Sequence, residues 1–228
     1  MAGSMSAARC CVLFTKTARP GRVKTRLHPV LSPLQAAELH QAFLDDLLPR
    51  LATGAFSLRI AWDLAPGETM PRTEVFGTEV PGVEQRGADL GERLFNGLAE
   101  ASHDAALVVA VGSDHPELAT STVEEAFSRL ERGADVVVGP AEDGGYYLVG
   151  TRRDALTPRL FQEVDWGSST VLCSTLSRCR TLGLAVEQLS RGRDVDVPED
   201  LDRLARLLRS GQPACPATER VLRRWGRL

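Results

Sequence analysis

The chain has 228 residues, 43% hydrophobic and 25% charged, with a net charge of −3. That is the composition of a globular protein with room for one large domain, and its slight acidity argues against bulk nucleic-acid binding, which usually needs a basic face. No apolar run reaches membrane-spanning length and the first ten residues lack the apolar stretch of a signal peptide, so no membrane partner is expected and the cytoplasm is the expected compartment.

Residues 1–8 are small and polar and read as a loose terminus, leaving 9–228 as one domain. An apolar run at 10–14 predicts a buried first strand. It leads into Phe14-Thr15-Lys16-Thr17-Ala18-Arg19-Pro20-Gly21-Arg22-Val23-Lys24-Thr25-Arg26-Leu27. Of the 27 basic residues only two are lysine, and both lie in this loop with three arginines. A basic loop after a first strand, with Gly21 to let the backbone bend, suits a phosphate group. It is not a P-loop, because Ala18 and Val23 stand where glycines are needed, and no Gly-x-Gly-x-x-Gly follows the strand. The loop is expected to be solvated.

Ser32-Pro33-Leu34-Gln35 has the form of a capped helix start, and Leu39, Phe43, Leu47 and Leu51 recur at helical spacing. A second strand is expected at 56–62, one or two weak strands at 73–86, and a helix opening at Asp89-Leu90-Gly91-Glu92-Arg93. Residues 105–111 form an unbroken apolar run, the clearest buried strand. A helix at 116–132, strands at 134–138 and 145–149, a helix at 168–182, a strand at 184–189 and a helix at 198–208 complete the alternation. An Arg-rich tail ending in a short helix follows. Alternating strands and helices imply an α/β sheet covered on both faces.

In such sheets ligands sit beyond the carboxyl ends of the strands. Asp114 follows the most buried strand and is a candidate Mg²⁺ ligand, because Mg²⁺ takes one or two carboxylates plus phosphate oxygens. Asp114 and Glu117 also have capping-box spacing, as do Asp196 and Glu199. Asp196 is the first choice for a second metal ligand and Asp194 the second. Asp143-Gly144-Gly145-Tyr146 and Trp166-Gly167-Ser168 are turns that could approach a substrate; Ser168 could equally cap its helix. The five cysteines fit no zinc pattern and are read mostly as buried small hydrophobes, without metal or nucleophile roles. His28, His40 and His103 read as surface or core residues.

Together these stretches resemble the GT-A-fold nucleotide-diphospho-sugar transferase superfamily. More closely they resemble its DUF2064 group, the radical-SAM- and selenodomain-associated transferases 1, and the Lys-Thr-Arg-Leu element is similar to that of phospholactate-type guanylyltransferases. The resemblance runs from position 14 to about 201, through Lys24-Thr25-Arg26-Leu27, Asp89-Leu90-Gly91-Glu92-Arg93, Ser113-Asp114-His115-Pro116, Asp143-Gly144-Gly145-Tyr146-Tyr147, Trp166-Gly167-Ser168 and Asp194-Val195-Asp196. It implies a Rossmann-like three-layer sandwich with a mixed, mostly parallel central sheet and Mg²⁺ or Mn²⁺ on Asp114 and Asp196.

The nucleotide and its phosphates would meet Thr15, Lys16, Gly21, Lys24, Thr25, Arg26, Asp89, Gly91 and Arg93. The substrate would meet Asp143, Gly144, Gly145, Tyr146, Trp166 and Ser168. Lys24, Arg26 and Asp114 would be catalytic, with Lys16, Lys24 and Arg26 stabilising a departing pyrophosphate. Metal-dependent glycosyltransferases of this fold carry Asp-x-Asp after the central strand, and Pro116 takes the place of the second acid here. That favours a nucleotidyltransferase acting on a nucleoside triphosphate and a small phosphorylated or hydroxylated acceptor. A glycosyltransferase using a nucleotide-sugar and a non-catalytic nucleotide-binding module remain the alternatives, in a monomer or homodimer.

Overall fold

The computed structural model describes residues 8–212 and 214–228, so the expected loose terminus lies, Ala8 apart, outside the described residues. In chain order the elements are β1 (Arg9–Lys16), α1 (Pro33–Leu51), β2 (Ser57–Asp63), β3 (Thr73–Val75), β4 (Thr78–Val80), β5 (Gly82–Glu84), α2 (Leu90–Ala101) and β6 (Leu107–Gly112). There follow α3 (Thr120–Glu131), β7 (Val136–Pro140), β8 (Tyr146–Arg152), α4 (Val171–Thr181), β9 (Val186–Gln188), α5 (Pro198–Arg209) and α6 (Pro216–Arg224).

Seven strands form one sheet in the order β5-β2-β1-β6-β8-β7-β9. Every neighbouring pair is parallel except the two made by β8. The apolar runs at the centre are the reason: β1 and β6 are buried on both faces, as strands must be when helices cover both sides. The expected mixed, mostly parallel α/β architecture is what the chain adopts.

One face packs Leu13, Ile60, Val109 and Val137 against Leu44, Leu47 and Leu51 of α1 and Phe127 and Leu130 of α3. The other packs Val12, Phe14, Val108 and Val138 against Leu94 and Leu98 of α2 and Leu172 and Cys179 of α4. Helix α1 is buried on its outer side as well, where Leu39 and Phe43 meet Leu201, Leu204 and Leu222 of α5 and α6. Asp46 of α1, itself buried, accepts from the N–H groups of Ala217 (2.8 Å) and Thr218 (2.9 Å) and from the Thr218 hydroxyl (2.6 Å). A carboxylate on those free amides satisfies the start of α6 and ties it to α1.

The capping box at Ser32 and Gln35 forms as expected. Several expected boundaries move, three of them near the cleft or its supports. The segment at 73–86 becomes a separate β3–β4 hairpin plus β5, which joins the main sheet. Helix α3 begins at Thr120 rather than 116, so Asp114 and Glu117 form no capping box; Glu117 pairs instead with Arg203 on α5 (2.6 Å). Helix α4 begins at Val171, and Ser168 makes a tight turn before it by accepting from the Thr170 N–H (3.2 Å). All five cysteines are free and all but Cys173 are buried. Among the described residues no helix is long and apolar enough to cross a membrane.

Candidate active site at the carboxyl edge of the sheet

The register of the central strands decides which residues share an edge. Lys16 at the end of β1 pairs with Asp63 at the end of β2, and Phe14 pairs with Gly112 at the end of β6. Because these strands run parallel, Lys16, Asp63, Ser113 and Asp114 leave the sheet on one side. Strand β8 runs the other way, so it begins at this edge, with Tyr146 and Tyr147 just before the Leu148–Val111 pair. The segment before α5 closes the group: the Val195 N–H donates to the Asp114 carbonyl (2.8 Å), which sets Asp194 and Asp196 alongside Asp114.

Lys24 lies at the centre of this edge. Its backbone is left-handed (φ 48°), rare for a residue with a long side chain, and its side chain is 2% exposed. The ammonium group contacts Asp114 Oδ1 (2.5 Å) and Asp196 Oδ1 (3.4 Å), donates to the Val195 carbonyl (2.8 Å) and stands 5.1 Å from the Phe43 ring centre. The expectation of a solvated lysine is therefore corrected: the loop turns Lys24 inward, beneath the carboxylates. Arg26 is the residue that faces out, 66% exposed and 3.9 Å from Asp196.

Electrostatics follow from this packing. Burial works against the charge on Lys24, but Asp114 and Asp196 outweigh it and hold its pKa above the ordinary lysine value. Burial also opposes ionisation of Asp114, and the Lys24 ammonium overcomes it, keeping that carboxyl below its usual range. Asp196 is less well compensated, and burial raises it. Asp194 is pushed up to about 7, first by burial and then by Asp114 and Asp196. Three carboxyl groups thus share one buried cation.

A polar layer supports Asp114 from behind. Thr15 donates to the Ser113 hydroxyl (2.9 Å), and His40 Nε2 lies 3.1 Å from both the Thr15 hydroxyl and the Lys16 carbonyl. A carbonyl can only accept, so Nε2 carries the hydrogen and Nδ1 turns its lone pair toward Asp114, 3.9 Å away. Burial lowers the pKa of His40, which agrees with the neutral ring.

Around the core of the site the cleft has two compartments that share Phe14, Arg26, Leu90, Gly112, Tyr146, Tyr147, Asp194 and Asp196. The first, of about 520 Å³, is lined by Thr15, Lys16, Arg22, Lys24, Thr25, Arg26, Arg93 and Asp114. The second, of about 450 Å³, is lined by Leu90, Asp143, Gly145, Tyr146, Trp166 and Ser168. These gather most of the residues singled out in the sequence.

Four do not line either compartment. Gly21 makes a turn at φ 80° with open space around it. Asp89 caps α2, accepting from the Glu92 N–H (2.8 Å). Gly91 makes room for Trp166, since a Cβ there would come within 2.7 Å of the indole nitrogen. Gly144 lies against the Ser169 backbone, where a Cβ would meet the carbonyl oxygen at 2.1 Å. The second cap expected from Asp196 also changes hands: Asp200, not Glu199, reaches back to the N–H groups of Asp196 (3.2 Å) and Val197 (3.1 Å). The Asp196 carboxylate is left for the cleft.

Sequence reasoning missed four contributors. His40, which reads as a surface or core residue, has Ala36, Ala37, Phe43 and Leu44 one helical turn to either side, all buried with it. Asp63 neutralises Lys16 (3.9 Å), Arg22 (3.7 Å) and Arg93 (3.4 Å). Gln85 donates to the Thr15 and Ala61 carbonyls (3.2 and 2.8 Å) in the wall of the first compartment. Glu68 holds Arg19 and Arg22, and the Ala65 N–H with the Arg19 guanidinium keeps its carboxyl down to about 2. An anchored loop, not a floppy one, presents the cations.

Asp114 and Asp196 are the donors that could hold a divalent cation. Hard carboxylate oxygens suit Mg²⁺ or Mn²⁺, and the uncompensated negative charge would welcome one. Among the described residues no three metal-ligating side chains are already gathered around one point, so phosphate and water oxygens would have to complete the shell.

The chain belongs to the DUF2064 family, described as an uncharacterized protein conserved in bacteria, whose model matches residues 48–168. It is similar to a solved structure from Desulfovibrio desulfuricans G20, provisionally named a nucleotide-diphospho-sugar transferase. The two share 33% identity over 95% of this chain and 94% of that one, with a TM-score of 0.84. More remote likenesses, which speak for the fold alone, include the inositol-1-phosphate CTP transferase of T. maritima (14% identity, 95% and 97% covered, TM-score 0.56). The 4-diphosphocytidyl-2C-methyl-D-erythritol synthase of Anaerococcus prevotii DSM 20548 is another (10%, 90% and 99%, 0.53). No match to a protein of curated function was found. The fold is thus that of the GT-A-like nucleotidyl and sugar transferases.

Proposed function

We propose that this member of the DUF2064 family is a nucleotidyltransferase. It would move a nucleoside monophosphate from a nucleoside triphosphate to a small acceptor and release pyrophosphate, with Mg²⁺ or Mn²⁺ on Asp114 and Asp196. The observation that carries this reading is the arrangement of charge across one compartment: Asp114 and Asp196 on one side, and Lys16, Arg22, Arg26 and Arg93 on the other, three of these cations gathered by Asp63. A triphosphate brings a chain of anionic oxygens that needs the cations and, at the reacting phosphorus, a bound ion that needs the carboxylates.

Arg26 and Lys16 would grip the departing pyrophosphate, being the most exposed of the cations that line this compartment. Lys24, sealed below, is a positioning residue: it holds Asp114 and Asp196 together. His40 fixes the Thr15 hydroxyl and the Lys16 backbone from which the loop departs. When bound, Mg²⁺ would supply neutralisation of phosphate charge. No protein nucleophile is invoked; in-line attack by the acceptor needs only positioning and electrostatic stabilisation.

Glycosyl transfer is the second reading, favoured by the name given to the D. desulfuricans protein. Pro116 counts against it, since it removes the second acid of an Asp-x-Asp pair. Thermal unfolding with each nucleoside triphosphate, diphosphate and nucleotide-sugar, with and without Mg²⁺, separates the two. A ligand at a hundredfold excess over its Kd adds about 2.7 kcal/mol. Mg²⁺-dependent stabilisation by a triphosphate, followed by pyrophosphate release, supports nucleotidyl transfer. Preference for a nucleotide-sugar with nucleoside diphosphate release refutes it.

A further inference from the structure

The second compartment differs from the first in chemistry. Trp166, Leu94 and Val171 line it and not the first; Tyr146 meets Trp166 edge to face, with ring centres 6.2 Å apart at 85°, and Leu90, 45% exposed, stands where the two compartments join. A large aliphatic side chain left open in a concave site marks a surface that gains from being covered. The charge there has the opposite balance to the phosphate side. Asp143, Asp194 and Asp196 line it, while the one cation is Arg26, which it shares with the first compartment. Ser168 and the glycine-containing turn at Gly145 supply neutral polar groups.

We infer that the acceptor occupying this compartment is an unphosphorylated, hydroxyl-bearing molecule with an apolar face, held against Tyr146, Trp166 and Leu90. This rests on the nucleotidyl-transfer reading and narrows it, because that reading admits phosphorylated and hydroxylated acceptors alike. A phosphate monoester carries nearly two negative charges at neutral pH and would face Asp143 and Asp194 with no cation of its own, because Arg26 and the ion on Asp196 would already be engaged by the triphosphate. A neutral alcohol meets no such repulsion and covers the rings. In the transfer, the acceptor hydroxyl oxygen forms a bond to the α-phosphorus. The bond from that phosphorus to the bridging oxygen breaks, pyrophosphate leaves with the electron pair, and the hydroxyl proton passes to water.

The shared residues make the geometry workable. Arg26, Tyr146, Asp194 and Asp196 belong to both compartments, so a hydroxyl reaching inward from the aromatic wall arrives beside the carboxylate floor where the α-phosphate would lie. A volume of about 450 Å³ suits a small molecule rather than a polymer end.

The test uses the intact protein with Mg²⁺ and follows tryptophan emission, since Trp166 lines the compartment. Benzyl alcohol and phenethyl alcohol are each titrated against their own phosphate monoesters. Each alcohol should bind about tenfold more tightly than its ester. Ser169→Arg places a cation at an exposed position that lines this compartment and not the first, and should tighten ester binding by about tenfold or more. Esters that bind wild type as well as the alcohols do, or alcohols that give no response, overturn the inference. So does tighter binding of cytidine or adenosine than of the alcohols at Trp166, which would assign the aromatic wall to the nucleobase. The thermal-unfolding series keeps the two claims apart: triphosphate stabilisation with preferred ester binding sinks this inference alone. Alcohol binding without any triphosphate response leaves the ligand class standing and sinks the transfer reaction.

Discussion

Replacing Lys24 with methionine tests the construction of the site most directly. The change keeps much of the apolar stem and removes one charge from among three carboxyl groups. Removing one partner of a buried ion pair costs about 3–5 kcal/mol, because the other charge stays behind unpaired. Asp114 is 45% exposed and so keeps part of its hydration, which brings the expected loss to about 2–3 kcal/mol. In a domain of this size each kcal/mol moves Tm by about 2–4 °C, so Lys24→Met should melt roughly 4–12 °C lower at pH 8. The deficit should shrink as pH falls toward 5, since Asp194 and Asp196 protonate above the usual carboxylate range. Adding Asp196→Asn should restore part of the loss. Urea and thermal unfolding in EDTA read all three. A loss below about 0.5 kcal/mol, the range of an ordinary surface substitution, would refute the claim that Lys24 holds the carboxylates together.

Asp194→Asn should flatten the acid side of the stability profile. A carboxyl group with a folded pKa of about 7 takes up protons on folding, so wild-type stability falls as pH rises from about 4 to 7. The variant escapes a penalty on the order of 2–4 kcal/mol at pH 8 and gains nothing at pH 3; identical slopes in metal-free buffer would contradict this. Glu68→Gln should free Arg19 and Arg22, so that limited trypsin digestion at pH 8 cuts the loop faster than in wild type. Its effect on unfolding should vanish near pH 2, where the native carboxyl is itself protonated, and an unchanged cleavage rate would show the loop is held by other means. Gly91→Ala should displace Trp166, shift tryptophan emission and cost about 1–3 kcal/mol, because its Cβ has no room beside the indole or the Phe161 carbonyl; an unaltered spectrum would argue that the contact yields freely.

The elements most legible in the sequence are those with a one-dimensional signal. The apolar runs of β1 and β6, the Ser32–Gln35 box and the 39-43-47-51 stripe each specify a period or a cap that the backbone must honour. The placement of Asp114 at a strand end follows from the same logic. What the sequence conceals is direction. A lysine in a basic loop reads as exposed until the left-handed turn at Lys24 sends it inward, and nothing in Val23-Lys24-Thr25 marks that turn. Capping spacing was ambiguous too, because Glu199 and Asp200 both lie within reach of the start of α5 and the chain uses the latter. Asp63, Gln85 and Glu68 join the site through strand register and loop closure, which depend on residues far away in the chain. His40 is the exception: its position among apolar neighbours was a usable sign of burial.

The contacts of Lys24 with Val195 and Asp196, and of Asp46 with Ala217 and Thr218, each span 171 or 172 residues. During synthesis at about 5–20 residues per second, roughly 10–35 seconds separate the emergence of the two halves of each contact. Through that interval the nascent chain carries an ammonium and a carboxylate destined for the interior with no partners yet made. The first half of the sheet can form early, but the pocket floor closes only when the segment before α5 arrives. A ribosome stalled before that point would display a chain with β1, β2 and β6 available to pair and its reactive edge still incomplete. The candidate site is therefore among the last features this chain completes as it is made.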